Sequence, residues 1–562
     1  MGEEQARIGV FVCHCGTNIG GFVDVPAVTE YSEKLPGVVY AERNLYTCSA
    51  DGVRAIKNKI KEHNLDRVIV ASCTPRTHAP LFKSTCKEAG VNPYLFEFVN
   101  IRDQCSWVHM REPERATEKA KDLIRMGVAK ATLLEPSEDI SIDIEPSVMI
   151  IGAGVSGLTS ALTLAKQGFA VHLIEKKEKV GGKLKDLYKL YPTNQKSYES
   201  LKPLIDEVEK HERVKLYTST VINEVNGYIG NFNVTLDKNG EEEKIKVGTI
   251  IIATGAEDLE PEGLYGYGEY DNVITQAQLE GVLKEGKLGK PNRVVMIQCV
   301  GSRGQVVSYC SKICCMTAIK NAIIIREESP ETEVVVLHND IQVYGSYEDD
   351  YLNAKELGVK FRKYSPDKRP EVSKEGEKLS VKFINELLGA EKDYETDLLV
   401  LSTPLIQNPD ASDISKLLKV PLGQDKFFFE AHVKLRPVDF ATDGIYLCGT
   451  ARGPADVTES VEQALGAASR ASIPMWVGKY STEAINSIID PETCIGCGIC
   501  MSLCPFGAII EVEDGTAQSI RALCKGCGTC VAACPKKAIQ QLGFTDDQIR
   551  SQIKAVFVEG GV

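Results

Sequence analysis

Residues 147–175 read SVMIIGAGVSGLTSALTLAKQGFAVHLIE, and this stretch decides the fold. An apolar run leads into Gly152-Ala-Gly154-Val155-Ser156-Gly157. Apolar residues then recur at helical spacing to about Gly168, and a second apolar run ends in Glu175. Strand, glycine-rich turn, helix and strand in that order form a βαβ unit suited to a dinucleotide. Gly152 makes the tight turn, Gly154 lets the backbone approach a pyrophosphate, and Gly157 packs helix on strand. The first helical N–H groups, from Val155 and Ser156 onward, face the phosphates with the positive end of the helix dipole. Glu175, with Lys176 beside it, is placed to accept ribose hydroxyls, and an acid there disfavours a 2′-phosphate.

Three neighbouring features favour FAD over NAD at this site. Gly181-Gly182 and Lys183 follow the acid closely, as in flavoproteins of the glutathione-reductase kind. TIIIATGA (249–256) resembles their strand and turn, carrying Ala253, Thr254 and Gly255. DGIYLCGTARGPADVTESVEQALGAASRA (443–471) resembles the segment that reaches the isoalloxazine: a turn at Gly449 feeds a helix, entered near Val457, whose dipole stabilises negative charge on a reduced flavin. Thr450 stands after Gly449 where many such proteins carry Asp.

A second nucleotide-binding unit is expected over 292–390, opening with the strand RVVMIQ (293–298). No second Gly-rich fingerprint follows it, which argues against direct nicotinamide binding. Cys299 stands at the strand end instead, and Cys310, Cys314 and Cys315 gather at the mouth of the next helix. A helix N-terminus favours thiolate and a net-negative cluster, so these four are read as ligands of a [4Fe-4S] cluster. A redox-active disulfide between Cys310 and Cys314, or plain packing, are the competing readings. Lys320, further along that helix, is a candidate catalytic residue beside the flavin or a solvated lysine.

Near the C-terminus Cys494-x2-Cys497-x2-Cys500-x3-Cys504-Pro505 is followed by Cys524-x2-Cys527-x2-Cys530-x3-Cys534-Pro535. This is the bacterial ferredoxin run, twice. In it the fourth cysteine ligates the other cluster, which assigns Cys494, Cys497, Cys500 and Cys534 to one [4Fe-4S] cluster and Cys524, Cys527, Cys530 and Cys504 to the second. A zinc ribbon has no use for eight cysteines with this repeated asymmetry.

Residues 1–135 alternate strand and helix, with strands expected at 7–12, 38–46, 66–72 and 94–100, which implies a parallel sheet covered on both faces. Cys13 and Cys15 follow the first strand, Cys48 the second, Cys73 the third and Cys105 the fourth. All lie at carboxyl ends of strands, the edge where open α/β sheets bind ligands. Four of these five are candidates for a further [4Fe-4S] cluster; nucleotide binding at this edge and inert thiols are the alternatives. Of the 19 cysteines, Cys86, Cys448 and one of the N-terminal five are then left over.

At 562 residues the chain exceeds what one core supports. The organisation expected is α/β throughout the larger part. A flavodoxin-like N-terminal domain spans 1–138, a flavoprotein of the thioredoxin-reductase kind with two dinucleotide domains spans 139–480, an α+β ferredoxin domain spans 481–545, and a tail spans 546–562. A net charge of −13 argues against nucleic acid as a partner. No stretch reaches the roughly 18 apolar residues of a membrane span. The first residues show no apolar signal region, so a cytoplasmic protein is expected, and in a reducing compartment clustered cysteines are metal ligands before they are disulfides.

Taken together, VCHCGTNIGG (12–21), ASCTPRTHAPLF (71–82), IRDQCSWVH (101–109), IIGAGVSGLTSALTLAKQG (150–168), CVGSR (299–303), YCSKICC (309–315) and YLCGTARGPADVTES (446–460), with the double ferredoxin run, resemble the A-type subunit of heterodisulfide reductase. The resemblance covers nearly the whole chain. It implies an iron–sulfur flavoprotein at the hub of a multi-subunit complex, with FAD bifurcating electron pairs between a disulfide-type acceptor and ferredoxin. Implied partners are the B- and C-like subunits of such a reductase, an adaptor of a hydrogenase, formate or NADH dehydrogenase, and ferredoxin, with two copies pairing in the larger assembly. Longer members carry an inserted ferredoxin-like module shortly after the Gly-Gly pair; between Gly182 and Gly255 this chain has no cysteine.

Overall fold

The computed structural model describes residues 6–376 and 378–557. The opening residues 1–5, on which the targeting expectation partly rests, and residues 558–562 of the expected tail lie outside them. Two compact units are present: Met1–Ser141 together with Ser481–Val562, and Ile142–Tyr480.

In the first unit, β1 (Ile8–Cys13), β2 (Val38–Asn44), β3 (Arg67–Ser72) and β4 (Phe96–Asn100) form a parallel sheet in the order β2-β1-β3-β4. Every residue of β1 is buried, because a parallel strand is covered on both sides. Alternation along β1 sends Val10 and Val12 towards α1 (Val25–Glu33) and α4 (Pro113–Thr132), while Phe11 packs with α2 (Ala50–Glu62) and α3 (Pro75–Ala89). The carboxyl ends of the four strands therefore open onto one edge.

The second unit begins with β5 (Ser147–Ile151), α5 (Val155–Lys166) and β6 (Ala170–Ile174), the βαβ unit of the fingerprint. With β7 (Val214–Tyr217), β8 (Thr249–Ile252) and β14 (Ile445–Leu447) they make a parallel sheet in the order β14-β8-β5-β6-β7. A second parallel sheet is built from β9 (Val273–Thr275), β10 (Arg293–Ile297), β11 (Glu333–His338), β12 (Lys360–Lys363) and β13 (Leu398–Leu401), ordered β9-β13-β10-β11-β12. Between β10 and β11 lies α6 (Cys314–Glu328); the helix after the Gly449 turn is α7 (Val457–Val477).

In the C-terminal segment of the first unit, β15 (Ser487–Ile489) pairs antiparallel with β18 (Ile539–Gln541), and β16 (Ile509–Glu511) with β17 (Ala517–Ser519). Two short helices, α8 (Ile499–Leu503) and α9 (Thr529–Ala533), sit at matching places in the two halves. The segment expected as a tail forms α10 (Asp546–Phe557) instead, and it lies along α4. Arg125 donates to the Ala555 carbonyl at 2.6 Å, Gln548 to that of Leu133 at 2.9 Å, and Ser551 to that of Ala129 at 3.0 Å.

Candidate functional site

A cleft of about 480 Å³ opens at the carboxyl ends of β5 and β8, within the size range of cofactor sites. The sequence-derived nucleotide residues meet there: Gly152, Gly154, Val155 and Ser156 from the turn, Glu175 and Lys176 from the end of β6, Gly182 and Lys183 from the Gly-Gly turn, Ala253, Thr254 and Gly255 after β8, and Thr450 and Val457 near α7. Gly157 and Gly449 stand behind the wall. A Cβ on Gly157 would lie 1.8 Å from the Gly152 carbonyl oxygen, and one on Gly449, at φ +66°, 2.3 Å from the Ser156 hydroxyl. Gly157 is a place of close backbone approach, and at Gly449 the Ser156 side chain closes in on the backbone.

The Glu175 carboxylate accepts the Ala153 and Lys177 backbone N–H groups, each at 2.9 Å, so it is held facing the cleft. Lys176 pairs with Asp410, and Lys183 with Asp258. The Thr254 hydroxyl is buried without a protein partner, and the only atom near a Cβ on Gly154 would be the Gly182 Cα at 3.8 Å. An orphaned donor and an open glycine cradle beside a helix N-terminus fit a bound dinucleotide.

At α7 the structure adds residues beyond those singled out in the sequence. Asp456 caps the helix by accepting from the Glu459 N–H at 2.8 Å, and the Glu459 side chain returns the bond to the Asp456 N–H at 3.1 Å. Asp456 also accepts from the Tyr347 hydroxyl at 2.8 Å, and Lys312 pairs with Glu459. The Asp-x-x-Glu spacing at 456–459 is a capping box readable from sequence. Glu280, which faces Lys320 in the wall of the cleft, has no such signal.

Cys314, the first residue of α6, also lines this cleft. Cys310 and Cys315 are within electrostatic reach of Cys299, and all three are within reach of Cys314. The Cys314 thiol donates to Cys315, which raises the first pKa and lowers the second. Cys299, Arg303 and Lys312 hold positive φ of 62°, 52° and 46°, strain that side chains rarely accept without a local purpose. Cys310 and Cys314 are both free thiols.

At the N-terminal sheet edge, Cys13, Cys15, Cys48 and Cys73 form one electrostatic group. The Cys13 sulfur accepts the Cys15 N–H at 3.3 Å and the Thr47 N–H at 3.4 Å, and Cys15 has φ +46°. Cys105 stands apart. A turn of π-helix, Arg102–Ser106, turns it into the core, where burial pushes its thiol up to about 12 and its charged neighbours are Lys119 and Asp122. Cys86 and Cys448 are likewise buried and pushed up to about 12.

In the C-terminal segment one hollow is lined by Cys494, Cys497, Cys500 and Cys534, and a second by Cys504, Cys524, Cys527 and Cys530. Each hollow takes one cysteine from the other run. Gly496 and Gly526 have φ of 66° and 61°, and a Cβ on either would meet a backbone oxygen at 2.4 Å. The Cys494 sulfur accepts the Ala517 N–H at 3.5 Å, and Cys524 that of Ser487 at 3.4 Å. Among the described residues no group of three or more Cys, His, Asp or Glu side chains is placed to hold a single metal ion.

Residues 146–298 match the family described as Pyridine nucleotide-disulphide oxidoreductase, and residues 493–539 the 4Fe-4S dicluster domain. The first match ends one residue before Cys299. The chain is 40% identical to the A-type subunit of the H(2):CoB-CoM heterodisulfide,ferredoxin reductase of Methanothermobacter thermautotrophicus, over 99% of this chain and 98% of the relative. It is also 40% identical to the iron-sulfur A-type subunit of the CoB–CoM heterodisulfide reductase of Methanocaldococcus jannaschii, over 98% of each. The chain belongs to the family of heterodisulfide reductase A-type subunits.

Membership makes the chain an oxidoreductase subunit, an FAD flavoprotein with a dicluster [4Fe-4S] module. A family member of Archaeoglobus profundus, named for its likeness to the same subunit, is 34% identical over 100% of this chain and 99% of its own. Among solved structures, T. acidophilum thioredoxin reductase aligns with a TM-score of 0.41 and 19% identity over 59% of this chain and 99% of its own. The Methanothermobacter thermautotrophicus alignment spans 652 positions against 562 residues here, so at least 90 positions of that family member have no counterpart in this one. No helix among the described residues is long and apolar enough to cross a membrane.

Proposed function

We propose that this protein is the cytoplasmic electron-transfer hub of a heterodisulfide-reductase-like complex, a short member of its family without the inserted ferredoxin module. One observation carries the proposal: Cys314 and the dinucleotide-binding glycines line the same cleft. FAD exchanges electrons in pairs and iron–sulfur clusters singly, so a junction between the two converts paired electron flow into single-electron flow.

In this reading Gly152, Gly154, Val155, Ser156 and Gly157 seat the pyrophosphate, Glu175 and Lys176 the ribose end, and Gly182, Lys183, Ala253, Thr254, Gly255, Gly449, Thr450 and Val457 the flavin half. Lys320 borders the reacting ring. Cys299, Cys310, Cys314 and Cys315 hold the adjoining [4Fe-4S] cluster. Cys13, Cys15, Cys48 and Cys73 hold another at the N-terminal edge, and Cys105 is left out. The ferredoxin runs hold the remaining two by the crossed ligand sets. The loop 298–313 occupies the place of a second Gly-rich turn, which favours electron entry from a partner subunit over direct NAD(P)H oxidation.

Relatives are named for a CoB–CoM heterodisulfide and ferredoxin reductase, with H(2) or formate as donor in the names, which supports a disulfide acceptor and ferredoxin as the two outputs, and hence bifurcation. The same reading takes B- and C-like subunits and a hydrogenase, formate or NADH dehydrogenase adaptor as partners, in a paired assembly. Anaerobic purification from the native host tests the reading. The chain should carry FAD and about sixteen iron atoms, four per four-thiol site, and travel with such subunits. Steady NADH oxidation by the isolated chain would return it to a stand-alone reductase. Transfer to a quinone or another reductase without ferredoxin reduction would remove bifurcation alone.

A further inference from the structure

One side-chain amide at the carboxyl edge of the second parallel sheet has no partner among the described residues for either of its polar atoms. Gln298 follows β10 and is fully buried, and both its nitrogen and its oxygen are unbonded. A buried amide donor left unmade is costly, so this one calls for an acceptor that the polypeptide does not provide.

Its position says what that acceptor is. Along β10, Val294 and Met296 pack with Met316 and Ile319 of α6, whereas Val295 and Ile297 face the opposite core. Gln298 continues the first series, towards the helix that begins with Cys314 and Cys315. The end of β11 reaches the same thiols through the Asp340 carbonyl, 3.9 Å from the Cys315 sulfur.

Two guanidinium groups complete the surroundings. Arg303 acts on both Cys299 and Cys310, and its Nη2 is 3.7 Å from the Asp340 carboxylate. Arg369 reaches the Cys299 carbonyl at 3.5 Å and the Gln305 side chain at 2.9 Å. The Asp340 carboxylate also acts on Cys315, and it is already engaged by Arg303.

We propose that Gln298 donates N–H bonds to the inorganic sulfides of the cluster held by Cys299, Cys310, Cys314 and Cys315, while Arg303 and Arg369 set positive charge beside it. These three are positioning residues that fix its reduction potential. A cubane on four thiolates is net negative, and taking up one electron adds one more negative charge. N–H donors and guanidinium groups stabilise the reduced form more than the oxidised one, so the potential rises. The cluster beside the flavin is thereby poised to take an electron from a two-electron donor.

The proposal rests on the cluster assignment made above, and the test separates the two. The full chain, purified anaerobically with its iron and flavin, is titrated with redox mediators and followed by EPR. The signal of interest is the one that disappears in Cys314→Ser with the loss of about four irons. Gln298→Leu, Arg303→Gln and Arg369→Gln should keep wild-type iron and flavin content and move that signal alone to lower potential. Arg369→Lys, which keeps the charge, should leave it near the wild-type value. An unmoved potential in iron-replete variants overturns the proposal, because the Gln298 amide then faces buried water only. Iron loss in the folded arginine variants overturns it too, since these side chains would be building the cage instead of tuning it. Full iron retention in Cys314→Ser removes the cluster assignment itself, a result read from iron content and not from potential. Should Gln298→Leu fail to fold, Arg303→Gln decides, because its side chain is 31% exposed.

Discussion

Lys320 of α6 and Glu280 form an ion pair in the wall of the cleft at the ends of β5 and β8 with side chains only 8% and 1% exposed. The Glu280 carboxylate also accepts the Tyr188 N–H at 2.9 Å, and the Lys320 ammonium donates to the Lys189 carbonyl at 2.8 Å. Burial lowers the lysine pKa, and the glutamate opposes that shift. Removing one partner strands the other charge in a low dielectric, which costs about 3–5 kcal/mol, whereas replacing both is close to neutral. Lys320→Met should therefore release FAD at markedly lower temperature or denaturant, and Lys320→Met with Glu280→Gln should recover most of the loss. Flavin fluorescence on unfolding reads both. Equal loss in the single and double variants would mean that the stranded Glu280 charge is not the source of the loss.

Thiol chemistry distinguishes the ligands from the leftovers. Burial pushes Cys86, Cys105 and Cys448 up to about 12, so at pH 8 only on the order of one molecule in ten thousand carries the reactive thiolate. Cys48, Cys497 and Cys527 are exposed. Iron-free, folded protein treated briefly with iodoacetamide should be labelled at the exposed three and spared at the buried three. Peptide mass spectrometry makes the assignment.

At the N-terminal edge the contrast lies between two cysteines that follow neighbouring strands. Cys73 is electrostatically coupled to Cys13 and Cys15, while Cys105 is not. Cys73→Ser should lower the iron content by about four atoms, and Cys105→Ser should leave it whole. The reverse pattern would put the π-helical turn at the cluster.

The βαβ unit is legible in the sequence because its signal is local: two apolar runs, the three fingerprint glycines 152, 154 and 157, and a terminal acid lie within residues 147–175. The grouping of the ferredoxin-run cysteines is legible for the same reason, down to the exchange of Cys504 and Cys534 between the hollows. What escapes depends on contacts between distant residues. Glu280 and Lys320 are 40 positions apart and look like ordinary surface charges on their own helices. Cys105 shares the strand-end placement of the other thiols, and only the extra residue of a π-helical turn directs it inward. The helix Asp546–Phe557 reads as a tail because its apolar periodicity is short; its partner, α4, is more than 400 residues earlier.

The glycines of the fingerprint offer a final discrimination, between building the fold and admitting the cofactor. A methyl on Gly157 would stand 1.8 Å from the Gly152 carbonyl oxygen, a backbone atom that cannot swing aside, and 3.6 Å from the Ala253 Cβ. Helix and strand must then part, and Gly157→Ala should destabilise the unit by about 1–3 kcal/mol or more and lower the yield of folded protein. At Gly154 the nearest atom to an added methyl is the Gly182 Cα at 3.8 Å, ordinary contact distance, and the φ is not left-handed. Gly154→Ala should fold normally, yet its methyl enters the cleft where a pyrophosphate approaches the backbone, weakening FAD binding by roughly 10- to 100-fold. Unfolding of the flavin-free protein and FAD titration by fluorescence measure the two effects separately. Wild-type FAD affinity in a well-folded Gly154→Ala protein would move the phosphates away from this turn, and the flavin assignment of the cleft would have to be redrawn.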